Sequence, residues 1–144
     1  MRTKNIFTLL LVASSFFSIA QKQQKKENLP KEALTFLDVN FKGIAVQEVI
    51  KETEGVTFKY EVKLTNGAEI EFNNRGRWRD LESKTTSLPV TMLQPSVGQY
   101  IQKTYPGAKI TEIKKGIRFN FVKINGNKNL QFDSEGNFYK ILVD

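Results

Sequence analysis

Residues 58–72 read Phe58-Lys59-Tyr60-Glu61-Val62-Lys63-Leu64-Thr65-Asn66-Gly67-Ala68-Glu69-Ile70-Glu71-Phe72. Apolar and polar side chains alternate on both sides of Asn66-Gly67, which is the period of a strand with one buried face and one wet face. Asn-Gly tolerates the positive φ of a tight hairpin turn. The stretch therefore predicts two antiparallel strands. Phe58, Tyr60, Val62, Leu64, Ala68, Ile70 and Phe72 point inward, while Thr57, Lys59, Glu61, Lys63, Glu69 and Glu71 point outward.

Downstream, Asn73-Asn74-Arg75-Gly76 predicts a second turn leading to Trp78 and Leu81 in a further strand. Upstream, Val46 and Val49 are three residues apart, which breaks strict alternation and predicts a bulged or irregular strand entry. Further upstream, Ala33, Leu34, Phe36, Leu37 and Phe41 cover one face at helical spacing, between Pro30, suited to a first turn, and Gly43, suited to a C-terminal left-handed position.

The same order occurs again. Leu29-Pro30 opens the first copy and Leu88-Pro89 the second. Pro95, then Val97, Tyr100, Ile101 and Tyr105, then Gly107, predict a second helix with the aromatic-to-glycine spacing of the first. Ile110 and Ile113 match Val46 and Val49. Ile117, Phe119 and Phe121 are expected inward, followed by an Asn125-Gly126 hairpin with one residue added, then Leu130 and Phe132 inward. The turn Asp133-Ser134-Glu135-Gly136 precedes Phe138 and Ile141. A motif that occurs twice implies a repeat. The expected fold is α+β: two tandem helix-plus-four-strand repeats, 29–82 and 88–144, in one antiparallel sheet of about eight strands with both helices on one face. The other face stays in water.

Around that domain, residues 1–20 carry Arg2 and Lys4, an uncharged apolar run from Ile6 to Ile19, and Ser18-Ile19-Ala20 before Gln21. This is the anatomy of a cleavable signal peptide, and the run is shorter than the roughly 20 apolar residues of a membrane span. The expectation is export to the periplasm or the exterior, with no membrane span after cleavage. Gln21 to Asn28, polar and lysine-rich, reads as a solvated tether. The chain has no cysteine and no histidine, which removes disulfides, a lipidated cysteine, zinc sites of the usual kind, thiol nucleophiles and imidazole catalysis.

Three motifs invite a chemical reading. Arg75-Gly76-Arg77-Trp78-Arg79 interleaves cations with an aromatic, yet the second copy holds Asp133 to Phe138 at the same place with the charge reversed, so a turn explains it and nucleic-acid binding is not expected. Asp133-Ser134-Glu135-Gly136-Asn137 offers closely spaced oxygens without the ligand spacing or distal glutamate of a calcium loop, so a turn is expected there and no metal. Glu69 and Glu71 share one side of a strand, but Lys59, Glu61 and Lys63 surround them, so a solvated surface is expected rather than an acid–base pair. No catalytic residue and no cofactor are expected.

The order Leu-Pro, Tyr105 to Ile110 (Tyr-Pro-Gly-Ala-Lys-Ile), Tyr60 to Leu64 (Tyr-Glu-Val-Lys-Leu), Asn-Gly, Glu69 to Phe72 (Glu-Ile-Glu-Phe) and Gly76 to Trp78 resembles the PepSY-like proteins, exported bacterial proteins of the beta-lactamase-inhibitor-like fold. The resemblance implies a periplasmic or extracellular protein of two repeats, with a concave sheet face that docks onto an enzyme in the inhibitor relatives. The cysteines that brace the inhibitor are missing here, so inhibition of a beta-lactamase does not carry over.

Alternation assigns the uncovered face Lys59, Glu61, Lys63, Arg77 and Arg79 from the first copy and Arg118, Asn120, Val122, Gln131 and Tyr139 from the second. Tyr and Arg are frequent interface anchors. The expectation is a non-enzymatic module whose open face engages another envelope or secreted protein, in an inhibitor-like or restraining role. The alternative is a structural envelope protein whose excess of basic residues, +5 once Arg2 and Lys4 are removed from a total of +7, touches anionic lipid or glycan.

Overall fold

A computed structural model describes residues 21–143; the expected signal peptide lies outside the described residues. The elements run β1 (Gln21–Gln24), α1 (Lys31–Asn40), β2 (Val46–Glu54), β3 (Thr57–Leu64), β4 (Ala68–Asn73), β5 (Trp78–Ser83), α2 (Pro95–Thr104), β6 (Ile110–Lys115), β7 (Phe119–Ile124), β8 (Lys128–Asp133) and β9 (Phe138–Leu142). All nine strands form one sheet in sequence order, each antiparallel to the next. Eight belong to the two repeats. The ninth, β1, is part of the expected tether: its backbone pairs with β2 and extends the sheet by one strand.

One apolar layer unites the repeats. Val62 pairs with Ile70, Ile70 with Leu81, Leu81 with Ile113, Ile113 with Val122 and Val122 with Leu130, so all six share a face. Ala33 and Leu37 of α1 and Val97 and Ile101 of α2 join them in a single buried cluster, which puts both helices on that face. The repeats use the same anchor twice: Phe36 meets Phe72 edge-on at 5.7 Å, and Tyr100 meets Phe132 edge-on at 5.5 Å. Phe72 and Phe132 are each 0% exposed.

Each helix also sits on the turn of its own repeat. Asn73 Oδ1 accepts the backbone N–H groups of Arg75 and Arg77, both at 3.0 Å, and Asp133 Oδ1 accepts those of Glu135 at 3.0 Å and Asn137 at 2.8 Å. The glycines in these turns take positive φ, +84° at Gly76 and +86° at Gly136. A Cβ at Gly76 would lie 2.8 Å from Ala33 N and Pro30 Cβ at the start of α1, and one at Gly136 would collide with Ser96 Oγ at the start of α2. Only glycine satisfies both the dihedral and the approach. The expected strand irregularities are present in both copies, between Val46 and Glu48 and between Ile110 and Glu112.

α2 starts at Pro95 as expected; ahead of it Leu88-Pro89 leads into a single 3-10 turn (Val90–Met92), with the Leu88 N–H bonded to Ile110 O at 2.8 Å. The chief difference from expectation is in β7. Val122 (1% exposed) and Ile124 are buried, whereas Ile117 stands 94% exposed in the preceding turn and Phe119 and Phe121 point to the other side of the sheet. The cause is the hairpin. Leu64 leads through Thr65-Asn66-Gly67 to Ala68, and Ile124 leads through Asn125-Gly126-Asn127 to Lys128, so both loops hold three residues and none is added. Asn-Gly has slid one place earlier within the loop, with positive φ at Asn125 and Gly126 instead of at Gly67. Counting from Asn-Gly therefore shifts the strand by one residue, and with period 2 that reverses every side chain.

Candidate functional site

The uncovered face of the sheet is built from every second residue of each strand. In the first repeat this yields a lattice of charged side chains in which carboxylates predominate: Glu61 stands opposite Glu71, Glu71 opposite Asp80 and Glu69 opposite Glu82, and these five acids line one shallow hollow. Lys59 Nζ lies 2.7 Å from Glu71 and 3.5 Å from Glu52; Lys63 Nζ lies 3.2 Å from Glu48 and 3.5 Å from Glu61. Glu69 faces Lys84 at 3.8 Å, and Asp80 faces Lys114 at 3.1 Å. Hydrogen bonding and charge from Glu48, then the charge of Glu61, hold the Lys63 ammonium above its ordinary value, and Asp80 does the same for Lys114. Glu69 and Glu71 thus each have a lysine partner, although the face as a whole carries more carboxylates than lysines.

The second repeat replaces this lattice with aromatic side chains. Phe119 and Phe121 take the positions that Lys59 and Glu61 hold in the first, and Gln131, opposite Phe121, takes that of Glu71. Gln131 is on the uncovered side yet only 6% exposed. Tyr139, at the irregularity in β9, is 59% exposed and its ring lies 5.1 Å from that of Phe119. The ion pair between Lys123 and Glu112 repeats that of Lys63 and Glu48.

Of the ten residues expected on this face, Lys59, Glu61, Lys63, Gln131 and Tyr139 are there. The other five are not. Arg77 turns toward α1, its Nε 3.6 Å from Glu32. Arg79 and Asn120 line a cleft on the helix side, Val122 is in the core, and Arg118 sits in the turn before β7. The bulge opposite Phe72 and the one-residue shift in β7 account for these displacements. Phe119 and Phe121 were missed for the same reason. The signal that identifies them is the repetition of Val62-Lys63-Leu64 as Val122-Lys123-Ile124.

The Asp133 loop is a turn. Its carboxylate accepts from the side chain of Asn137, at 3.0 Å through Oδ2, besides the two backbone donors. Those bonds, the Asn137 side chain's first, hold the carboxyl below its ordinary value near 3.8. Asn73 makes the same backbone bonds with a neutral amide. Among the described residues no three His, Cys, Asp or Glu side chains gather to hold a metal, and no helix is long and apolar enough to cross a membrane.

A one-sided antiparallel sheet made of two helix-plus-four-strand units, bare on the face away from its helices, defines the class of the molecule. The chain belongs to the beta-lactamase-inhibitor-like, PepSY-like family, whose model matches residues 58–140. Among solved structures it is similar to a Bacteroides thetaiotaomicron protein assigned to the periplasm and described as calcium-regulated, with 28% identity, a TM-score of 0.81, and coverage of 85% of this chain and 97% of that one. It is also similar to two Bacteroides vulgatus proteins assigned to the periplasm. One has 27% identity, a TM-score of 0.82, and coverage of 88% and 99%. The other, described as of unknown function, has 25% identity, a TM-score of 0.81, and coverage of 86% and 100%. No curated protein matches the chain.

Proposed function

We propose that this protein is an exported, non-enzymatic binding module that engages another envelope or secreted protein through the uncovered sheet face, at its second-repeat half. The observation that carries the reading is the group of partly exposed Phe119, Phe121 and Tyr139, with Phe119 and Tyr139 in ring contact, on a surface whose other half is a lattice of ion pairs with an excess of carboxylates. Exposed aromatic rings beside polar groups are the chemistry of interface hot spots, whereas paired surface charges contribute little. Export is supported by the signal-like segment 1–20 and by the periplasmic assignment of similar structures.

The test is capture of partners from native envelope extract on the immobilised domain, with three forms side by side. The unaltered domain and a Lys59→Ala, Glu71→Ala form retain the same partner. A Phe119→Ser, Tyr139→Ala form loses it. Equal recovery by all three removes the aromatic half from the interface.

A further inference from the structure

On the helix side, where the two repeats meet, the segment from Met92 to Val97 walls a cleft of about 460 Å³, within the size range of small-molecule sites. Trp78 and Arg79 of β5, Lys115 at the end of β6 and Asn120 of β7 line it, with Met92 and Leu93 opposite. Lys115 Nζ lies 3.5 Å from the centroid of the Trp78 ring, a cation–π contact. Among the described residues no carboxylate lies within ion-pair reach of Arg79 or Lys115, while Lys59, Lys63, Lys114 and Lys123 on the opposite face all have one. Partial desolvation beside the Trp78 ring, and then the charge of Arg79, hold the Lys115 ammonium below the ordinary lysine value.

Arg79 and Lys115 line the same cleft with Asn120 beside them, and a bound oxyanion would satisfy the guanidinium's donors and sit favourably between the two cations. β5 and β6 are paired with each other from Asp80–Glu82 to Glu112–Lys114 and with β4 and β7 on their outer sides, so the stretch past that pairing, Trp78–Arg79 beside Lys115, is too short an edge for an extended peptide. Recognition there falls to side chains, which suits a compact ligand.

We infer that this cleft binds a small amphiphile with an oxyanion head, a carboxylate or a phosphate monoester, seated between Arg79 and Lys115 with its apolar body against Trp78, Met92 and Leu93. The site lies on the face away from the aromatic cluster and is independent of the protein-binding reading.

Trp78 is the chain's single tryptophan, so its emission reports occupancy directly. Titration of the unaltered protein with decanoate and with decyl phosphate gives a saturable change, at least tenfold tighter than decanol, acetate or inorganic phosphate for one of the two; the tighter amphiphile names the head group. Arg79→Gln with Lys115→Gln weakens that anion at least tenfold and leaves decanol within twofold. Decanol binding as tightly as both anions, or no saturable change with either, overturns the inference, and so does unchanged affinity in a folded double variant. Should the double variant not fold, the head-group comparison on the unaltered protein decides alone.

Discussion

Glu71 in the first repeat and Gln131 in the second hold the same place in the sheet, each one strand before the end of its unit. Around Glu71 the cross-strand neighbour Glu61 and the nearby Lys59 belong to a lattice of ion pairs; around Gln131 the corresponding residues are Phe121 and Phe119. The cores behind them are nearly identical, Phe72 under Phe36 and Phe132 under Tyr100. One framework thus supports two surfaces of different chemistry. The inward positions specify the fold, and the outward ones are free to diverge, which on the proposed function is what confines recognition to one half.

If the cores are equivalent, they should fail equally. Phe72→Ala and Phe132→Ala are each expected to cost about 3–5 kcal/mol in urea unfolding, because both rings are fully buried. A large gap between them would break the equivalence. The β7 register gives an equally sharp contrast. Val122→Asp, which puts a charge in the core, is expected to cost several times more than Phe121→Asp, on the order of 4 kcal/mol against about 1 kcal/mol.

The turns come next in size. Gly76→Ala and Gly136→Ala combine a left-handed backbone with a collision at the start of a helix, so each is expected to lower stability by about 1–3 kcal/mol. Thermal unfolding of the two variants measures whether the helix seats are as alike as they look. A smaller effect attaches to the lattice. A double-mutant cycle on Lys59 and Glu71, whose side chains are 23% and 34% exposed, is expected to give a coupling of about 0.5–1 kcal/mol that shrinks with added salt. The corresponding cycle on Phe119 and Gln131 is expected to be insensitive to salt.

The smallest contrast is between Asn73 and Asp133. The folded state holds the Asp133 carboxyl below its ordinary value, so on acidification the unfolded chain takes up that proton first. The carboxylate's contribution is complete above about pH 4 and disappears as the pH falls through the folded value. Asp133→Asn, which copies the first repeat, is expected to leave neutral stability nearly unchanged and to flatten this part of the acid profile. An unchanged profile would show that the Asn137 bonds do not act on the ionised form.

The architecture was legible in the sequence because it rests on local devices: alternation in residues 58–72, helical spacing from Ala33 to Phe41, and glycines at the turns. Half of the candidate face was not. Arg77 and Arg79 follow Gly76 and enter a bulged strand, where alternation no longer assigns a side. In β7 the sequence Phe119-Asn120-Phe121-Val122-Lys123-Ile124 is apolar on both faces near its middle, so periodicity alone admits two registers. The structure selects the one that joins Val122 to Ile113 and Leu130. The pairing of β1 with β2 had no apolar signal at all, since Gln21 to Gln24 join the sheet through the backbone.

The central claim is that Phe119 and Phe121 stand on the uncovered face of the second repeat. Because the chain contains no cysteine, single substitutions Phe119→Cys, Asn120→Cys, Phe121→Cys and Val122→Cys permit a direct reading by thiol-labelling rate under native conditions. Rapid labelling at 119 and 121, with labelling at 122 slowed to the rate of global unfolding, is the predicted pattern; protection at 121 with rapid labelling at 122 would contradict it.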